Sequence, residues 1–119
     1  MSTRQARVFA TQIPSRRDIA TGLWVPTMNI APAQEYGEVV TLLPPGSQFF
    51  AAKEAVRLIK HRLHELDYSQ GDFLLPLGTP VIMAVASAIA ARRTNGCLNV
   101  LVWDRQTSKY ISYSLENLV

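Results

Sequence analysis

Apolar positions along this chain cluster in short runs, with longer helical patterns between them. Residues 73–77, Phe-Leu-Leu-Pro-Leu, form one short run. Gly78 allows the chain to turn, Thr79 suits a helix N-cap, and Pro80 suits the first helical position. The next residues stay apolar to about Ala91 and stop near Asn95-Gly96. A second short run fills residues 97–103. This predicts strand, helix, strand. The connection is long enough for a parallel crossover, which is right-handed almost without exception.

The segments on either side obey the same rule. Val39, Val40, Leu42 and Leu43 predict a strand over residues 38–43. Pro44-Pro45-Gly46 breaks it, and Ser47 is placed to cap the next helix. Ala52, Val56, Ile59, Leu63 and Leu66 recur at steps of four and three, so a helix near residues 48–66 buries one face. Strands are predicted near residues 72–77, 97–104 and 109–115, and a second helix near residues 80–92. The pair 98–104 and 109–115 reads as an antiparallel hairpin with a loop of about four residues.

The first 37 residues are less patterned. Residues 1–6 are polar and expected to be flexible. Residues 7–13 are loosely strand-like and end at Pro14. Residues 15–18 read as a polar connection, and residues 22–25 as a short strand closed by Pro26. Asn29 is placed to cap a short helical turn ending at Gly37. These pieces are expected to extend or flank the sheet, or to form an edge hairpin. The predicted fold is a small single α/β domain over residues 1–119. It has a three-stranded parallel core from two βα units, a C-terminal antiparallel strand and short N-terminal strands.

Composition narrows the class. The chain has 119 residues, 48% hydrophobic and 18% charged, which describes a globular protein and not a disordered one. Twelve basic residues against nine acidic ones leave +3, a mild excess that permits a phosphate or nucleic-acid partner. The single cysteine, Cys97, excludes an internal disulfide and a cysteine-rich metal site. The N-terminal stretch lacks a secretory apolar core, and the longest apolar run is too short to span a bilayer. A cytoplasmic protein without membrane attachment, cofactor or metal is expected.

Two strand-to-helix turns are candidate ligand sites, at Gly46 and Ser47 and at Gly78 and Thr79. In an open parallel sheet both lie at the carboxyl ends of strands, where helix N-termini offer free N–H groups to an anion. Neither turn is a dinucleotide or Walker A motif, and a capped connector explains the same residues. A second candidate is a basic stripe on the first helix. Lys53, Arg57, Lys60 and His64 recur at four, three and four, which suits contacts to a nucleic-acid backbone, although Glu54 and Glu65 interrupt the surrounding surface and an ordinary solvated helix face carries such residues. Arg16 and Arg17 stand in a basic N-terminal segment that serves either as an arm or as a solvated loop.

Carboxylates at Asp18, Glu35, Asp72 and Asp104 show no pairing in sequence that would place a general acid beside a base. His61 and His64 are three apart with no third ligand in sequence. The second helix is apolar nearly all round through Val81, Ile82, Met83, Val85, Ala86 and Ile89. That pattern predicts cover on more than one side, either by a second subunit in a homo-oligomer, most simply a dimer, or by the N-terminal residues. The favoured function is a non-enzymatic binding or accessory protein acting through a protein or nucleic-acid-backbone surface. The alternatives are a small nucleotide- or phosphate-handling enzyme using the two turns, and a structural oligomer.

Overall fold

The computed structural model describes residues 5–46 and 52–119. Its elements are β1 (Arg7–Ala10), β2 (Ser15–Arg17), β3 (Trp24–Pro26), a 3₁₀ helix (Ala31–Tyr36), β4 (Glu38–Thr41), α1 (Ala52–Glu65), β5 (Phe73–Leu75), α2 (Pro80–Arg93), β6 (Leu98–Asp104) and β7 (Lys109–Leu115). From β4 onward this is the predicted order. The expected start of the first helix falls on residues 48–51, which lie outside the described residues, as does Ser47.

The sheet corrects the expected three-stranded parallel core. It has five strands in the order β4-β1-β5-β6-β7. The sequence pattern suggests that β1 extends or flanks the sheet. It lies instead near the centre, parallel to β4 on one side and to β5 on the other. The reason is burial on both faces. Val8, Phe9 and Ala10 are all fully buried, so β1 shows a short apolar run and no alternation. β6 is parallel to β5, and β7 returns antiparallel to β6 over seven register pairs. β2 and β3 form a separate two-stranded ribbon, where residues 15–17 suggest only a polar connection.

Two cores sandwich the sheet. On one face α1 and α2 bury Ile59, Leu63, Ile82, Ala86 and Ala90 against Phe9, Leu74 and Leu98. On the other face the 3₁₀ helix supplies Ala33 and Tyr36 against Val8, Ala10 and Leu75. The chain therefore leaves β1 for β4 on one side, and crosses back over β1 through α1 to reach β5. That reversal places a topological switch point at the carboxyl ends of β1 and β5. Thr11 closes this end of the sheet. Its hydroxyl donates to the Leu77 carbonyl and accepts from the Leu77 N–H at 2.6 Å.

Phe9 meets Tyr68 edge-on at 5.0 Å between ring centroids. Burial pushes the Tyr68 phenol well above its usual range, and the nearby Asp72 carboxylate adds to the shift. The folded state thus favours the protonated phenol. The associated stabilisation is complete below the unfolded value of about 10, and is lost as pH rises through the folded one. Stability is expected to fall above about pH 10, by at most about 1.4 kcal/mol per pH unit from this group. Tyr68→Phe should flatten that decline in urea melts from about pH 9 to about pH 11. An unchanged slope would show that the loss comes from elsewhere.

Candidate functional site

The crossovers β4 to β5 and β5 to β6 advance in the same direction across the sheet, and both put their helices on the same face. α1 and α2 therefore lie side by side, and a groove runs between their outer surfaces. It has a volume of about 710 Å³ and is lined by Val56, Arg57, Lys60, His61 and His64 of α1 and by Ile89, Arg92 and Arg93 of α2. Three members of the predicted basic stripe, Arg57, Lys60 and His64, are thus brought together. Lys53 is exposed one turn before Arg57 on the same helix. Arg92 and Arg93 do not stand out in the sequence. A signal for them exists all the same: two successive parallel crossovers that share the usual hand bring the last turns of both helices to one end.

The groove is electropositive despite its position. Arg57, Lys60, Arg92 and Arg93 carry four full charges. The two helix C-termini oppose them with roughly half a negative charge each. About three positive charges remain even at full helix dipole strength. Among the described residues no carboxylate lines the groove. Glu65 stands beside it and is held by Arg62 at 2.7 Å and His61 at 3.3 Å. Arg93 is partly committed to the fold, since its Nε donates to the Tyr68 carbonyl at 3.1 Å. Its Nη1 also lies 3.5 Å from His64 Nδ1. Arg62 turns the other way and donates to the carbonyls of Leu42 and Thr41 at 3.0 and 3.1 Å. Arg57, Lys60 and Arg92 are exposed, and they are the side chains best placed to meet an anion.

The strand-to-helix turns have local explanations. Thr79 Oγ1 accepts from the Ile82 N–H at 3.3 Å, so it caps α2 as the sequence predicts. Gly78 has φ +102°, and a Cβ there would sit 3.2 Å from Gln12 Oε1. Gly46 has φ +82°, and a Cβ there would meet the Trp24 ring at 2.5 Å. Gln12 is nearly buried, and its Nε2 donates to the Pro44 carbonyl at 3.2 Å. One glutamine therefore lies between the two turns, at the switch point where a ligand would enter. Beside Gly46 is a mostly apolar pocket of about 500 Å³, which includes Ile13, Trp24, Pro26, Leu43 and Leu58.

Other candidates are dispersed. Arg16 and Arg17 are exposed on the β2–β3 ribbon, opposite Val25 and Trp24. At the ribbon's tip Asp18 accepts from the Ala20 N–H and the Thr21 hydroxyl. Asp104 accepts from Thr107 Oγ1 at 2.6 Å, and this hydrogen bond chiefly lowers its pKa. Among the described residues no group of three or more His, Cys, Asp or Glu could hold a metal ion. Nor is any described helix long and apolar enough to cross a membrane. On α2, Ile82 and Ala86 face the chain's own sheet, and Val85 and Ile89 pack partly against that core. Met83 is half-buried, while Val81, Ala84 and Ala88 are exposed.

A family model described as phage Pam3 gp32-like protein matches residues 6–117. No curated protein and no solved structure matches the chain.

Proposed function

The chain belongs to the phage Pam3 gp32-like protein family, and from that premise we propose that it is a non-enzymatic accessory protein that holds a nucleic-acid backbone between α1 and α2. The observation that carries this reading is the convergence of Arg57, Lys60, Arg92 and Arg93 on one groove. A solvated helix face would spread its cations and intersperse carboxylates. Here two separate helices contribute cations to the same cleft. Val56 and Ile89 give the groove an apolar component that suits the sugar faces of a strand. The lining lacks the Asn, Gln, Asp and Glu side chains that join arginine in reading base edges. Binding is thus expected to follow phosphate positions and to ignore sequence.

Anisotropy titrations with labelled short DNA and RNA test the proposal. With about three phosphates neutralised on a duplex, affinity should fall roughly fortyfold between about 50 and about 200 mM salt. Arg57→Glu combined with Arg92→Glu should weaken binding at least about tenfold for every sequence alike, with an unchanged thermal melt. Absence of binding at low salt, or full binding by the double variant, would remove the proposal.

A further inference from the structure

β7 ends the sheet, and among the described residues no strand pairs with its outer edge. Natural sheets usually blunt such an edge with charge, proline, a bulge or brevity. β4, the opposite edge, shows these devices. It has four residues, begins with Glu38, and ends where Arg62 donates to the Thr41 and Leu42 carbonyls. β7 shows none of them after Lys109. It runs for seven residues in unbroken register with β6, and its stretch Tyr-Ile-Ser-Tyr-Ser-Leu has neither charge nor proline. On the helix side of the sheet Ile111, Tyr113 and Leu115 are 39%, 50% and 39% exposed.

We propose that β7 pairs with β7 of a second copy of this chain, antiparallel, about a two-fold axis near Ser112. A second copy fits because the strand is self-complementary in this direction. The axis places Ile111 of each copy opposite Tyr113 of the other, a pairing of β-branched and aromatic residues that stabilises antiparallel sheets. It also brings the Lys109 end of each strand toward the Glu116 end of its partner, so unlike charges meet at both ends. The two five-stranded sheets then form one ten-stranded sheet with all four helices on one face.

Sedimentation equilibrium at micromolar concentration tests this. The wild-type chain should be a dimer. Ile111→Lys with Tyr113→Lys sets lysines directly opposite each other twice, and should raise the dimer Kd at least about a hundredfold while the monomer stays folded by circular dichroism. Glu116→Lys, which opposes like charges at the strand ends without touching the apolar pairs, should raise Kd roughly threefold to tenfold. Ala84→Glu, on the exposed side of α2, should leave the dimer intact. A monomeric wild-type chain would overturn the proposal. So would a double-lysine variant that remains dimeric, or dissociation caused by Ala84→Glu.

Discussion

Asp72→Ala is expected to destabilise the protein by about 3–5 kcal/mol in urea denaturation, a large part of what a domain of this size possesses. Asp72 is 3% exposed. Its Oδ1 accepts from the Arg7 N–H at 3.0 Å, and its Oδ2 accepts from the Ser69 N–H at 2.9 Å. The carboxylate therefore ties the start of β1 to the turn that leads into β5. Alanine would leave two backbone donors without this acceptor, and an unsatisfied buried donor costs about 1–3 kcal/mol. Asp72→Asn keeps one carbonyl acceptor and should lose about half as much. The Arg7 side chain extends the clamp, since its Nη2 donates to the carbonyls of Leu66 and Asp67. If Asp72→Ala lost less than about 1 kcal/mol, the clamp would have to reside in Arg7.

Gly37→Ala is expected to cost about 3 kcal/mol or more, for a steric reason. Gly37 has φ +149°, and a Cβ there would lie 2.2 Å from the Ala6 carbonyl oxygen and 2.9 Å from its carbon. Both atoms are backbone, so no side chain can rotate away to make room. Relief requires β1 and β4 to part at the Arg7–Glu38 pair, where their register begins. Gly22→Ala is the matched control. Gly22 has φ +73° with nothing within 4 Å of the built Cβ, so only the left-handed backbone penalty of about 1 kcal/mol applies. Equal losses for the two variants would mean that the close approach at Ala6 is relieved without cost.

Much of the groove is legible in the amino-acid sequence. The step of four, three and four places Arg57, Lys60 and His64 on one helical stripe, and the fold keeps them together. The contribution of Arg92 and Arg93 depends on which helix neighbours α1. That comes from two crossovers of the same hand, and no single helix pattern contains it. The turns at Gly46 and Gly78 give the opposite lesson. Their sequence allows a ligand site, and nothing near them in the chain announces that Gln12 lies between them. Gln12 is 32 residues from Pro44 and 66 from Gly78 along the chain, so only tertiary contact relates them.

By itself the sequence determined the local elements from residue 38 onward. Hydrophobic period, proline, glycine and cap residues act over a few positions, and each is written where it acts. Thr79 caps α2, and β7 spans residues 109–115, both as the pattern predicts. Only the tertiary structure decided that β1 lies between β4 and β5. A four-residue strand buried on both faces has no alternation to display, and its place depends on two neighbours that begin 31 and 66 residues later. Tertiary structure likewise decided the side of α2. Its apolar residues surround the helix, so the sequence could not rank one face above another. The sheet broke that tie by burying Ile82, Ala86 and Ala90, and it left Ala84 and Ala88 outside.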